Sequence, residues 1–246
     1  MNVHYLTRPG QPKLAYVHTR GTAPAIVFLG GFQSDMNGTK ATFLEAQART
    51  RGQEFLRLDY SGHGQSEGLF RDGTISAWRQ DALDVIDAVI QDPVVLVGSS
   101  MGGWIGLSIL LERPEKIRGF VGIAAAPDFT EGIYSTMTTD QHLRFERDGF
   151  VEEPNDYGDQ PYIFTRALLE DGRRNLILGN TYDHEIPMRL LQGKQDADVD
   201  WRVPAGIQNV FPKADVQITL IEDGDHRLSR PQDLEQIEEK IRELSL

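Results

Sequence analysis

Residues 94–103 read V-V-L-V-G-S-S-M-G-G, and Ser100 is the residue among them that can do chemistry. Gly98 and Gly102 stand two positions either side of it, the G-x-S-x-G spacing of a nucleophile elbow. Such an elbow holds its serine in a strained backbone between a strand and a helix, so the flanking residues must be small. The β-branched run before Gly98 reads as the buried strand, and the apolar stretch from Met101 to Glu112 reads as the helix.

A serine hydroxyl is a weak nucleophile until a base takes its proton, and that base must itself be oriented. In folds built around this elbow, the acid and then the histidine follow the serine along the chain. His4, His18 and His63 precede Ser100, which removes them on order, and His63 is expected to be structural. His142 and His184 fall in a segment without regular strands. His226 follows a strand in the loop E-D-G-D-H, where the base belongs.

The acid should sit just beyond the preceding strand, where Q-G-K-Q-D-A-D-V-D offers Asp196, Asp198 and Asp200. Asp196 is best placed, three residues beyond Gly193 in a tight strand-end turn, with Asp198 next and Asp128 as a further alternative. The D-x-D-x-D run lacks the glycine and later glutamate of a calcium loop, so no metal is expected. The developing oxyanion needs donors. The backbone N–H of Met101 is one, and the N–H of Phe32, after Gly30-Gly31, is the second.

The elements that must hold these groups can be read from the alternation of apolar runs with helical patterns, the mark of an α/β protein with a mostly parallel sheet. Leu14–Thr19 reads as an early edge strand, followed by strands at 25–29, 54–58, 94–97, 120–124, 188–191 and 216–221. Helical patterns cover 41–51, 76–90, 101–112 and 204–211, and an amphipathic one runs from 231 to 246 with Leu234, Ile237, Ile241 and Leu244 on one face. Trp104, one turn into the elbow helix, is expected in the core.

From Asp128 to Pro187 no clear strand is evident, while Phe129, Tyr134, Phe145, Phe150, Tyr157, Tyr162 and Phe164 accumulate. Sixty residues is too long for a plain loop. Residues 128–187 are therefore expected to form a helical lid, inserted into a core of residues 1–127 and 188–246.

The 246 residues carry a net charge of −12 without a compensating basic cluster, which argues against nucleic acid and against an anionic membrane surface as partners. With no cysteine, disulfides, zinc thiolates and a thiol nucleophile are excluded, and a reducing compartment fits. The N-terminal stretch lacks the pattern of a signal peptide or presequence, and no stretch reaches membrane-spanning length. The expected location is cytoplasmic.

Taken in order, L-G-G-F, D-Y-S-G-H-G-Q-S, G-S-S-M-G-G, Q-G-K-Q-D and G-D-H resemble the α/β-hydrolase superfamily over nearly the whole chain. M-N-G-T-K-A (36–41), R-L-D-Y-S-G (57–62), W-R-Q-D (78–81), V-G-S-S-M-G-G-W (97–104) and R-P-E-K (113–116) look more narrowly like the mitochondrial palmitoyl-protein thioesterases, also described as mycophenolic acid acyl-glucuronide esterases. The resemblance implies the α/β-hydrolase fold and a cofactor-independent serine hydrolase. Its substrates would be acyl thioesters or activated esters, either small molecules or acylated proteins. Ser100 would be nucleophile, Asp196 acid and His226 base.

The acidic composition and missing presequence suggest a bacterial relative. Gln192 stands where many members have histidine, a departure expected to leave the acid untouched. The same three groups could also serve peptide, lactone or carbon–carbon hydrolysis, or survive in an inactive binding protein.

Overall fold

A computed structural model of the chain describes residues 2–155 and 161–245; Met1, Tyr157 and Leu246 lie outside these. The described residues form an eight-stranded sheet, a two-stranded hairpin and the helices around them. In chain order the elements begin with β1 (His4–Leu6), β2 (Leu14–Thr19), β3 (Thr22–Leu29), α1 (Thr39–Thr50), β4 (Gln53–Leu58) and α2 (Ile75–Val89). The elbow unit follows as β5 (Val94–Ser99) and α3 (Met101–Glu112), then β6 (Ile117–Ile123). Next come α4 (Thr130–Thr136), α5 (Thr139–Asp148), β7 (Phe150–Glu153), β8 (Tyr162–Thr165) and α6 (Arg166–Arg174). The chain then returns to the sheet with β9 (Met188–Gly193), α7 (Val203–Val210), β10 (Val216–Ile221) and α8 (Pro231–Ser245).

The sheet runs β1-β2-β4-β3-β5-β6-β9-β10. From β4 to β10 every neighbouring pair is parallel, while β2 pairs antiparallel with both β1 and β4. Burial on both faces explains why the central strands are apolar at nearly every position. Ile26 and Phe28 of β3, with Val95 and Val97 of β5, point to one face and meet Leu44 of α1 and Ile237 and Ile241 of α8. Ala25, Val27 and Leu29, with Val94 and Leu96, point to the other and meet Trp78 of α2 and Trp104 of α3. The α3 helix is buried almost all round, which is why its sequence is apolar without a polar stripe.

Two expectations are corrected. Leu14–Thr19 is not the edge strand, because β1 pairs outside it, with His4 opposite Tyr16 and Leu6 opposite Leu14. Three residues are too few to display an alternating pattern. The segment between β6 and β9 does contain strands, since β7 and β8 form an antiparallel hairpin with Phe150 opposite Thr165 and Glu153 opposite Tyr162. Each has only four residues, and their side chains gain burial from neighbours distant in sequence, such as Phe32.

Candidate active site

The parallel strands β3, β5, β9 and β10 all run in one direction, so the loops that follow them gather at one edge of the sheet. That edge is where open α/β sheets place their chemistry. Ser100 caps the N-terminus of α3 with φ 54° and ψ −120°, a left-handed conformation uncommon for a residue with a side chain. The neighbours hold it there. Its N–H donates to the carbonyl of Ile123 (3.0 Å), and its own carbonyl accepts from Gly103 (2.8 Å) and Ala126 (3.1 Å).

The glycine requirement around Ser100 comes from close backbone approach. A Cβ on Gly98 would lie 2.3 Å from the carbonyl oxygen of Gly102, and one on Gly102 would lie 2.1 Å from that of Leu29. No side chain fits at either place.

His226 reaches Ser100 from the loop after β10, with Nε2 3.1 Å from Oγ. Its Nδ1 lies 2.8 Å from Oδ2 of Asp196, in the loop after β9. A neutral imidazole with its proton on Nδ1 donates to that carboxylate and leaves the Nε2 lone pair facing the serine hydroxyl. The β9 and β10 loops meet because Gly193 packs on the second one; a Cβ there would stand 2.3 Å from the carbonyl oxygen of Gly224. Gln195 N–H donates to that same carbonyl (2.9 Å).

The Asp196 side chain is completely buried. Oδ1 accepts the N–H groups of Asp198 (2.8 Å) and Val199 (2.9 Å), and Oδ2 accepts from Gln192 Nε2 (2.7 Å) as well as from His226. Burial works against the charged form. The hydrogen bond and charge of His226, with the two backbone donors, outweigh it and hold the carboxyl below its usual value. Asp196, Asp198 and His226 bring potential metal-ligand atoms within 4.8 Å of one another. Four donors already occupy the lone pairs of Asp196, so this carboxylate is built to hold an imidazole rather than a cation.

The other acidic candidates play different parts, Asp198 beside the site and Asp200 and Asp128 in other contacts. Asp198 contributes its backbone N–H to Asp196, and its residue is exposed. Asp200 accepts the N–H of Arg202 (2.9 Å). Asp128 takes the N–H groups of Ile177 (2.9 Å) and Leu178 (2.8 Å), tying the start of the inter-strand segment to its end, and burial raises its carboxyl above the usual value. His63 is buried against the rings of Tyr60, Phe70 and Trp78, and that burial pushes it down to about 4. It is held neutral and is not among the residues lining the cleft over Ser100. Trp104 is fully buried, and its indole N–H donates to the carbonyl of Asn175 (3.0 Å).

Gln192 corrects the reading that its difference from histidine leaves the acid untouched. It is fully buried on β9, and its amide donates directly to the oxygen that faces His226. The signal was present, four residues before Asp196 at a strand end, but whether a side chain there turns toward the acid depends on the path of the loop. Gln192→Leu is expected to lower kcat/KM about 10-fold, the loss of one charge-assisted bond of roughly 1.5 kcal/mol. Gln192→Glu should lower it further below pH 7, because two adjacent carboxyls then share a proton. Profiles of kcat/KM from pH 5 to 9 check both, and a Leu variant within twofold of the parent would show that the backbone donors suffice.

A cleft of about 1220 Å³ opens over Ser100 and His226. Phe32 and Met101 line it beside the serine, and a Cβ on Gly31 would lie 3.4 Å from that of Ser100, so the loop after β3 passes directly over the nucleophile. One wall is aromatic and aliphatic, from Phe32, Phe129, Ile133, Tyr162 and Phe164. The lining also includes polar side chains, among them Ser34, Lys40, Asp198 and Arg227.

Comparison with known proteins shows the family and the fold. The family described as "Alpha/beta hydrolase family" matches residues 26–237. The mitochondrial palmitoyl-protein thioesterase ABHD10 of Bos taurus is 32% identical over 235 residues, covering 95% of this chain and 77% of that protein. A crystal structure of a hydrolase from Agrobacterium vitis S4 superposes with a TM-score of 0.95 at 39% identity, covering 100% of this chain and 99% of that one. Mouse alpha/beta hydrolase domain-containing protein 10 gives a TM-score of 0.91 at 32% identity, covering 99% and 98%.

Proposed function

Because the chain belongs to the alpha/beta hydrolase family, we propose that it is a serine esterase or thioesterase acting through Ser100, His226 and Asp196. The observation that carries this reading is the relay of 3.1 Å from Ser100 Oγ to His226 Nε2 and 2.8 Å from His226 Nδ1 to Asp196, set at the floor of an open cleft. Ser100 Oγ attacks the acyl carbonyl while His226 Nε2 takes its proton. Asp196 keeps the other ring proton on Nδ1 and stabilises the imidazolium.

The Phe32 and Met101 amides are the donors to the tetrahedral oxyanion. His226 returns its proton to the departing thiol or alcohol, leaving an acyl-serine. Water then attacks that ester with His226 as base, the serine regains its proton, and the carboxylic acid leaves. The sequence of steps balances with substrate and water alone.

The substrate class follows from the walls. The aromatic side beside Ser100 suits an apolar acyl chain, and the polar side chains of the lining suit a solvated leaving group. The ABHD10 relatives are named as palmitoyl-protein thioesterases, which favours an acyl thioester carried on a protein or a small thiol. In this reading residues 128–187 act as a lid over the acyl chain, supported by the contributions of Phe129, Tyr162 and Phe164 to the cleft. No helix among the described residues is long and apolar enough to cross a membrane. The relatives are named as mitochondrial, whereas for this chain a cytoplasmic location is the proposal.

Matched thioesters and oxygen esters of increasing acyl length test the substrate class through kcat/KM. Each added methylene should raise it, by up to about fourfold while the chain still fills the apolar wall. Thioesters should exceed their oxygen counterparts. Turnover that peaked with acetyl esters and fell with length would overturn the long-acyl assignment, and better turnover of oxygen esters would overturn the preference for thioesters.

A further inference from the structure

The loop that carries the Phe32 amide is joined to the β7–β8 hairpin at two points. The first is Gln33, which adopts φ 51°, a left-handed value in a residue with a long side chain. Its Oε1 accepts the N–H of Ile163 (3.0 Å) and its Nε2 donates to the carbonyl of Pro161 (3.1 Å). Residues two apart on a strand present their backbone groups to the same edge. One side-chain amide therefore pairs with the edge of β8 that β7 leaves open, as a neighbouring strand would.

The second point is Phe32 itself. Its ring stacks on Phe164 of β8 (5.1 Å between centroids, 6° between planes) and touches Tyr162 and Phe129. Gly31, the residue before it, passes 3.4 Å from the Ser100 Cβ at its own Cβ position. Three consecutive residues thus connect the nucleophile, the oxyanion amide and the hairpin that lines the acyl side of the cleft.

We propose that Gln33 is a positioning residue that couples occupancy of the acyl wall to the alignment of the Phe32 amide N–H. An acyl chain lying against Phe164 and Tyr162 steadies the hairpin. Through the paired amide of Gln33 the hairpin steadies the loop at the angle the oxyanion requires. Binding energy from the remote acyl chain then appears in kcat rather than only in KM, because the loop is aligned only when the chain is in place. This inference rests on the acyl-transfer reading above, yet its physical half, the tie between loop and hairpin, can be measured without turnover.

The test uses the full chain as wild type, Gln33→Ala and Gln33→Gly. The glycine variant accepts φ 51° without the side chain, and so separates loss of the tie from backbone strain. Amide hydrogen exchange is followed at residues 30–34 and 162–165, and kcat and KM are measured with p-nitrophenyl esters from acetate to octanoate. Both variants should exchange at least about 10-fold faster at the Ile163 amide and in the loop. Their kcat should fall about 10-fold or more with octanoate but under threefold with acetate, and KM should move less than threefold.

Unchanged exchange in both variants would overturn the tie. With faster exchange, a wild-type kcat flat with chain length, a loss equal at every length or a loss in KM alone would overturn the coupling. If wild type shows no ester turnover, the acyl-transfer reading falls with the coupling, while the exchange data still decide the tie. An alanine variant that fails to fold leaves the glycine variant to decide, and the open edge of β8 already carries the contact to be lost.

Discussion

Ser100→Ala should lower kcat by about ten-thousand-fold or more with any acyl substrate, with KM within a few-fold of wild type. The substitution is clean for structural reasons. The backbone contacts that hold residue 100 use its N–H and carbonyl, with Ile123, Gly103 and Ala126, and alanine keeps all of them. It also keeps a Cβ, so the strained φ of 54° is imposed on it as on serine. What disappears is the Oγ that lies 3.1 Å from His226 Nε2. The unfolding temperature should accordingly stay within about 3 °C, since no buried contact of size is lost. A fluorophosphonate probe, which needs an activated serine, should label the wild type to one equivalent and leave this variant unlabelled. Turnover that survived Ser100→Ala would put the nucleophile elsewhere and end the serine-hydrolase reading.

Asp196→Asn should be nearly as damaging, with kcat lower by about three to four orders of magnitude, and the reason lies in the four donors around that side chain. The N–H groups of Asp198 and Val199 require an oxygen at the Oδ1 position. An asparagine satisfies them only with its carbonyl there, which puts its NH2 where Oδ2 now meets both Gln192 and His226. Two N–H donors then face each other at Gln192. At His226 the amide drives the proton from Nδ1 to Nε2, so the nitrogen beside Ser100 no longer accepts. The exposed neighbour Asp198 provides the control, and Asp198→Asn should remain within about threefold of wild type. The reverse ranking would give the acid role to Asp198.

The pH dependence follows with a definite sign. Asp196 is held below the usual carboxylate value, so its ionised form stabilises the fold fully at neutral pH. That contribution fades as the pH falls through the carboxylate range, and it is absent from the asparagine variant. The stability gap between the two proteins should therefore narrow as the pH is lowered from 7 toward 3, as measured by denaturant midpoints.

Much of the fold is readable in the order of residue types because the governing physics is local. A strand buried on both faces needs apolar side chains at every position, and V-V-L-V before Gly98 displays that requirement directly. The Met101–Glu112 helix and the Val216–Ile221 strand have the bounds their patterns suggest. The short pieces are different. β1 spans three residues, and β7 and β8 four each, so no period develops; their strand character comes from partners distant in sequence.

The same division runs through the candidate site. Ser100 and His226 could be nominated from the chain because an elbow demands small residues at fixed spacing and because chain order limits the histidines. Among Asp196, Asp198 and Asp200 the alternation itself has no preference, and only the place of Asp196 three residues beyond Gly193 ranks it first. Tertiary structure separates them, since the turn after β9 folds the N–H groups of Asp198 and Val199 back onto Asp196 and leaves Asp198 outside.

The contacts of Gln192 and Gln33 could not be read from the sequence, for a related cause. A glutamine amide has no preferred partner of its own, and its role depends on what backbone or side chain lies within 3 Å. The sequence by itself thus determined the strands, the elbow and the supply of chemical groups, which depend on burial and backbone sterics over a few residues. Only the folded chain decided which carboxylate meets His226 and which amides hold the loop after β3 and the acid, because hydrogen bonds are short and directional and here join residues as distant in sequence as Gln33 and Ile163, 130 positions apart.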